Sequence, residues 1–173
     1  MSDIFLECLV KRKTTIKSLA LILLYFFGAI VLSLLMGLFV LLFFLQGIIM
    51  FPLATAGAIF GAVILSRRQN VEFEYIVSGW SISIDKIISK RSRKRLFKLD
   101  VRKIELMAPV SEKFKAEMDN TDTYIDASSS PYAEGLWFFV FKDREGVRFL
   151  FVFEPNERIL TFLRKKIQGK IKE

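Results

Sequence analysis

The side chains best suited to chemistry in this 173-residue sequence form a dense basic group. Nine lysines and arginines fall between Lys86 and Lys103, where Asp100 is the one acidic residue. Five of the cations fall on a predicted hairpin tip: Lys90, Arg91, Arg93, Lys94 and Arg95. Beside a membrane, each cation adds about 1 kcal/mol to contact with acidic headgroups. We therefore expect anionic-lipid contact here. The alternative is a solvated turn whose charge prevents pairing with other chains.

A basic composition also suits nucleic acid, which is the second class of partner to consider. The chain has a net charge of +8, and such a charge fits either a nucleic acid or an anionic membrane surface. No recognisable nucleic-acid-binding motif accompanies the charge, and the aromatic residues alternate as in a core instead of forming a stacking platform. The sequence therefore favours a membrane surface and disfavours nucleic acid.

An acidic stretch follows the basic group, from Glu112 to Glu134. Its carboxylates could meet a hard cation, a basic partner, or the basic hairpin of the same domain. The spacing of Asp119, Asp122 and Asp126 does not match a calcium loop, which also needs a glycine at its sharp turn. We expect a solvated loop here and no metal site.

The composition argues against an enzyme. The chain has no histidine, so it lacks the commonest general base and the usual partner of a serine or cysteine nucleophile. Its one cysteine, Cys8, can form neither a disulfide within the chain nor a thiolate zinc site. No glycine-rich phosphate loop or nucleophile elbow is present. We predict a non-enzymatic protein without a cofactor, and we assign Trp80 and Trp137 to the core.

A long apolar run, from Leu19 to Leu65, would position the rest of the chain. No charged residue lies between Lys17 and Arg67. A helix of about 47 residues would extend about 70 Å. The hydrocarbon core of a bilayer is only about 30 Å thick and is crossed by about 20 residues. The run therefore predicts two transmembrane helices with a turn near Phe43–Gly47, or alternatively near Met50–Pro52.

Small residues recur at helical spacing in both predicted spans. They allow close approach of helix backbones in lipid, where there is little hydrophobic drive for association. The residues in question are Ala29, Ser33 and Gly37 in the first span, and Ala54, Gly57 and Gly61 in the second. We expect these faces to pack on each other within one hairpin. The alternative is a homodimer, or a protein partner, at Gly57 and Gly61.

Positive charges flank the run at both ends. Residues 11–13 and Lys17 supply four before it, and Arg67 and Arg68 follow it. The positive-inside rule then predicts a multi-pass protein of the plasma membrane with both termini in the cytoplasm. Residues 1–18 would form a cytoplasmic segment, either an interfacial amphipathic helix or a disordered lead. The spans contain no ionisable group, so they predict an anchor and not a transport route.

Residues 66–173 form the predicted cytoplasmic domain, where the apolar period changes to two. Alternation predicts strands at 71–77, 80–88 and 97–101, with an extension to Pro109. A long connection follows, with a short helix at 111–118 and a strand at 123–127. Strands at 136–141 and 147–153 precede an amphipathic helix at 156–167. This order predicts an α+β domain in which a bent antiparallel sheet is capped by the C-terminal helix.

The order of elements resembles the bacterial pleckstrin-homology-like (PH-like) membrane proteins, which carry such a domain after two N-terminal spans. The resemblance rests on the opening strand Val71–Tyr75, the basic hairpin Ser81–Leu99, and the ending Phe151–Glu157. It implies a PH-like barrel that acts as a scaffold or interaction module at the membrane surface. The alternative is an accessory subunit of a larger membrane complex. The C-terminal helix lacks the tryptophan of eukaryotic PH domains, so phosphoinositide binding is not implied.

Overall fold

The computed structural model describes residues 5–43 and 50–172. The chain divides into two compact units. One is helical and comprises Thr14–Asn70, and the other combines Met1–Lys13 with Val71–Glu173. The second unit is therefore built from two separate parts of the sequence.

The helical unit contains α1 (Ile16–Phe43) and α2 (Met50–Arg67). Residues Ile16–Leu42 are long and apolar enough to cross a membrane, with a mean hydropathy of 2.7 and little of their surface buried. The apolar part of α2, Phe51–Arg67, is shorter. One helix thus meets the requirements of a span by length and composition. The predicted turn near Phe43–Gly47 lies almost entirely outside the described residues. The alternative turn at Met50–Pro52 is wrong, because these residues are helical.

The two helices pack on each other through small side chains. Ala29 of α1 and Ala62 of α2 are buried, and Ser33 donates its hydroxyl proton to the carbonyl of Ala29 at 2.8 Å. A Cβ atom added to Gly37 would lie 2.7 Å from the Phe51 ring, so a larger residue here would displace that ring. Ala29 and Gly37 thus belong to the part of the α1 surface that lies close to other side chains of the helical unit.

The predicted α2 face is correct only in part. Ala54 is half-buried. A Cβ atom added to Gly57 or Gly61 would have no neighbour within 4 Å among the described residues. A larger residue at either position would therefore not collide with a described part of α1. The contact face of α2 is rotated toward Ala58 and Ala62, and the four-residue spacing of the glycines could not reveal this.

The sheet-rich unit contains two four-stranded sheets. The N-terminal sheet has the order β1 (Phe5–Lys11), β2 (Val71–Ser78), β3 (Ser81–Ile88) and β4 (Ser92–Asp100), and all its pairs are antiparallel. The C-terminal sheet has the order β5 (Ile104–Pro109), β7 (Trp137–Lys142), β8 (Arg148–Phe153) and β6 (Thr123–Asp126). Because β6 runs parallel to β8, the prediction of a wholly antiparallel sheet is wrong at this edge.

The inner faces of the two sheets enclose one core. Tyr75 and Ile84 from the N-terminal sheet meet Phe139 and Phe151 from the C-terminal sheet. Helix α4 (Glu157–Lys166) adds its own apolar stripe to this core: Ile159, Leu160, Phe162 and Leu163. Asn156 caps α4, since its side-chain oxygen accepts a hydrogen bond from the amide of Ile159 at 2.9 Å. The predicted C-terminal helix and its inward stripe are confirmed.

The outer face of the C-terminal sheet is also covered. Phe138 and Val140 of β7 pack there against Phe114, which precedes the short helix α3 (Lys115–Asp119). Strand β7 is therefore buried on both faces, as its uninterrupted apolar sequence predicts.

The N-terminal segment differs from its prediction. Residues 5–11 form strand β1, which pairs with β2 along its whole length, and not an interfacial helix or a disordered lead. Leu6, Cys8 and Val10 pack against the core and alternate with exposed residues. The apolar residues at positions 4, 5, 9 and 10 obscure this two-residue period. The predicted boundary at Ser66 therefore divides the domain incorrectly.

The assignment of β1 to this domain predicts the effect of removing it. A chain that begins at Ser66 exposes the edge of β2 and the side chains beneath β1, and burial of one aliphatic side chain is worth about 1.5–3 kcal/mol. We expect it to aggregate or to unfold at a much lower temperature. A control chain in which a four-residue Gly/Asn linker replaces residues 14–70 should fold, because the amide of Arg12 already lies 2.9 Å from the carbonyl of Val71. Circular dichroism with thermal unfolding compares them. Equal melting temperatures would contradict the assignment of β1 to this domain.

Candidate functional site

The basic hairpin has a tighter tip than the sequence predicts. Strands β3 and β4 are joined by three residues, Ser89, Lys90 and Arg91, because Ile88 pairs with Ser92. Ser89 and Lys90 have φ angles of +55° and +58°. The amide of Arg91 donates to the carbonyl of Ile88 at 3.1 Å and closes the turn. Two successive positive φ angles are the mark of a type I′ turn, which usually takes Asn-Gly. For residues with a Cβ, this backbone costs roughly 1–2 kcal/mol each.

Because the turn is short, the five predicted cations fall into two groups. Arg93 and Arg95 lie on the outer face of β4, opposite Ile87 and Asp85. Arg93 forms an ion pair of 2.7 Å with Glu74, and Arg95 forms one of 3.1 Å with Asp85. These two arginines are thus engaged within the sheet.

The remaining three cations are Lys90, Arg91 and Lys94, and we call them the basic turn. All three are exposed, and none forms an ion pair with any residue that the structure describes. Lys94 alternates with Arg93 and Arg95 along β4, so it lies on the other face of the strand. The surface available to an anionic partner is therefore smaller than the sequence predicts.

The acidic partners of the arginines are unusually buried for a sheet face. Glu74 is 4% exposed and Asp85 is 1% exposed. Burial raises the pKa of Glu74. Its hydrogen bond with the carboxyl of Glu7, on the neighbouring strand β1, raises that pKa further, and Arg93 opposes the shift. This cluster is held together by charge pairing at the surface of the sheet, which explains why Arg93 and Arg95 are not free.

The strand register places the basic turn at a particular end of the N-terminal sheet. Val71, the first residue of β2, pairs with Ile88, the last residue before the turn. Lys11, the last residue of β1, pairs with Glu72. Since neighbouring strands lie about 4.8 Å apart, the turn is only about 10–15 Å from Arg12 and the residues that lead into and out of the helical unit. Sequence spacing could not show this, because the residues are some 80 positions apart.

The acidic stretch does not contact the basic turn in the described part of the chain. Asp122 accepts a hydrogen bond from the amide of Arg148 at 2.8 Å. Asp126 pairs with Arg12 at 3.2 Å and accepts from the amide of Ser128 at 2.9 Å. These carboxylates hold β6 and the end of β1 in place. Among the described residues, no three metal-binding side chains come together.

The two tryptophans have different environments. Trp137 is buried, as predicted, with the guanidinium of Arg164 at 5.6 Å from its ring centroid. Trp80 is 43% exposed, and its assignment to the core is wrong. It lies in the β2–β3 turn beside Gly79, whose φ is +59°, and the ammonium of Lys166 lies 4.0 Å from its ring centroid. A cation over an aromatic face is a stable surface arrangement.

Comparison with known proteins gives one match. A family model described as "Bacterial PH-like domain (DUF6106)" matches residues 2–173, and thus includes both units of the chain. No curated protein and no solved structure matches the sequence.

The raised pKa of Glu74 predicts a pH dependence of stability. The folded chain retains a proton at this site at pH values where the unfolded chain has lost it. The free energy of unfolding should therefore fall as the pH rises from the ordinary value of 4.5 through the raised pKa. Glu74→Gln should remove this fall, because the amide does not titrate.

Thermal unfolding of the full chain in mild detergent, followed by tryptophan fluorescence across the acidic-to-neutral range, measures the effect. Glu112→Gln is the matched control, because Glu112 is exposed and should leave the pH profile unchanged. A profile that is identical in wild type and Glu74→Gln would show that the cluster does not hold a raised pKa.

Proposed function

This chain belongs to the family of bacterial PH-like domains, and from that premise we propose that it is a non-enzymatic module anchored at the cytoplasmic face of the plasma membrane. The apolar helices anchor it, and the basic turn contacts anionic lipid. The observation that carries the proposal is the register of the N-terminal sheet. It brings the basic turn to the same sheet end as both connections to the helical unit.

The topology of the chain supports a hairpin in the membrane. The helical unit is inserted between β1 and β2, which are neighbouring strands, and the amide of Arg12 donates to the carbonyl of Val71 at 2.9 Å. This pairing supports our proposal that both ends of residues 14–70 lie on the same side of a bilayer. A segment that crosses a bilayer and returns to the same side crosses an even number of times. Because basic residues lie at both flanks, we propose that this side is the cytoplasm.

The surface of the helices supports insertion in lipid. Many large apolar side chains of α1 are exposed, including Leu34, Leu41 and Leu42. An apolar surface of this size is unstable in water. The 28 residues of α1 extend about 42 Å and the 18 of α2 about 27 Å, against a hydrocarbon core of about 30 Å. We propose that α1 is tilted and that both helices span the bilayer.

The basic turn would orient the domain and not anchor it. Three free cations contribute about 3 kcal/mol near an anionic surface, at about 1 kcal/mol each, and salt screens part of this. Such a contribution is small beside the insertion of an apolar helix, but it is enough to favour one face of a tethered domain. The anionic lipid of the inner leaflet is the partner that this chemistry fits.

The alternative role is an accessory subunit of a larger membrane complex. The observation that favours it is the position of Gly57 and Gly61, which leave open space beside α2 within the described part of the chain. Small residues at this spacing allow a further helix to approach, from a second copy or from another protein. A crosslinked dimer or a co-purified membrane protein, lost on Gly57→Leu, would establish this role.

Lipid contact is tested with the full chain in nanodiscs that contain spin-labelled lipid. We expect paramagnetic broadening of the amide signals of residues 89–92 in anionic discs and much weaker broadening in neutral ones. Replacement of Lys90, Arg91 and Lys94 by Gln should abolish the difference. The matched control replaces Lys103, Arg144 and Lys165 by Gln, which removes the same charge elsewhere. Equal broadening in both kinds of disc, or loss in the control as well, would refute contact by the basic turn.

The orientation of the hairpin is tested by labelling in intact cells on a Cys8→Ser background. A cysteine at Gln46, in the short connection between the helices, should react with a membrane-impermeant reagent. One at Lys172 should react only after lysis, because both termini are proposed to be cytoplasmic. Labelling of Lys172→Cys in intact cells would contradict this orientation. Protection of both sites in intact cells, with accessibility at both after lysis, would contradict the two crossings.

A further inference from the structure

The outer face of the N-terminal sheet carries a polar groove at the end opposite the basic turn. Its volume is about 390 Å³. Strands β2, β3 and β4 line it with Ile76, Ser78, Ser81, Ser83, Arg95 and Lys98. Small-molecule sites have volumes of about 300–1,000 Å³, so the groove is large enough for a small ligand.

The register explains why there is a groove at this place. Ser78 lies directly opposite Ser81, and Ser83 lies opposite Lys98, so all four side chains share one face. Side chains on neighbouring strands stand side by side, and three short ones among longer ones leave a depression. The hydroxyls form its floor and the cations form one wall.

The polar groups of the groove suit an oxyanion. A serine hydroxyl and a lysine ammonium both donate hydrogen bonds, and charge-assisted bonds to phosphate are among the strongest in proteins. Lys98 has no ion pair among the residues that the structure describes. Arg95 uses its Nε on Asp85 at 3.1 Å, which fixes its position and leaves further guanidinium protons for a ligand.

The neighbouring carboxylates limit where an anion can bind. Asp100, beside Ser81, is engaged by Arg102 through a bond of 2.9 Å from its Nε. Glu7 lies beside Ile76 on the β1 side and makes that side acidic. An anion would therefore lie over the serines and toward Lys98, away from β1.

From this arrangement we propose that the groove binds the phosphate group of a phosphate monoester, with Lys98 and Arg95 as its charged contacts and the three serines as donors. Ser81 lies seven residues from Ile88 along β3, about 23 Å at 3.3 Å per residue. If the basic turn faces the bilayer, as in the proposed function, the groove faces the cytoplasm and takes a soluble ligand. The groove itself does not depend on that orientation.

The test uses the full chain in zwitterionic nanodiscs. Inorganic phosphate and phenyl phosphate are titrated at constant ionic strength, with chloride as the reference, and the amide signals of Ser78, Ser81 and Ser83 are followed. We expect saturable shifts with both phosphates. Lys98→Gln should weaken binding by about tenfold or more, the effect of losing one charge-assisted contact. Ser81→Ala should weaken it less, and Lys94→Gln, in the basic turn, should leave it unchanged.

A second arm distinguishes the source of the phosphate. Discs that contain phosphatidic acid, without soluble phosphate, should leave the serine signals unshifted if the ligand is soluble. If these discs do shift the serine signals, and Lys98→Gln removes the shifts, the groove binds a lipid headgroup. Unsaturable shifts in every arm, or equal weakening by Lys94→Gln, would overturn the proposal. The Lys98→Gln chain should still show normal lipid broadening at residues 89–92. This measurement distinguishes a failure of the proposed groove from a failure of the proposed membrane contact.

Discussion

The pairing of β1 with β2 is the interaction on which the rest of the structure depends. It joins residues 5–11 to residues 72–78 across the whole helical unit. Closing a loop of 57 residues, 14–70, costs about 2 kcal/mol more entropy than closing a four-residue turn, because the cost grows only with the logarithm of length. The packing of α1 on α2 restricts that loop and reduces the cost. The pairing of seven residues of β1 with β2, and the packing of Leu6, Cys8 and Val10 against the core, stabilise this arrangement against that cost.

A second constraint acts on the outer face of the same sheet. Glu74 and Asp85 are buried there, and Arg93 and Arg95 balance their negative charges through ion pairs. Unpaired buried carboxylates are costly, so both arginines are held on the sheet by their acidic partners, and Arg95 keeps only part of its guanidinium group for an external anion. A net charge of +8 consequently overstates the positive surface of this domain. Within the described part of the hairpin, the basic turn and Lys98 remain without an ion pair.

Most of the fold follows from local sequence, and the errors share one physical cause. The period of two identifies β2, β3 and β8, and the apolar run of β7 predicts that both its faces are covered. The capped stripe of α4 is equally local. A local pattern does not specify how strands pair. It could not show that residues 5–11 add a strand, that β6 runs parallel to β8, or that Trp80 lies in a turn.

The candidate site shows the same limit, since Arg93 and Arg95 meet their acidic partners only through cross-strand pairing. The serines of the groove carry no signal in sequence, because they are brought together from two strands and face Lys98 on a third.

The geometry of the basic turn gives a physical reason for its unusual residues. A type I′ turn would be less strained with glycine at the second position, where Lys90 has a φ of +58°. The left-handed backbone costs a residue with a Cβ roughly 1–2 kcal/mol. A lysine beside an anionic surface gains about 1 kcal/mol, which is of the same order. On the proposed function, contact with the membrane therefore contributes a free energy of about the same size as the strain that the folded domain bears. The tightness of the turn matters equally, since a longer loop would hold the charge on flexible backbone and lose part of the gain to ordering entropy. A lysine in a short, strained turn is thus a rigid support for positive charge at one end of the sheet.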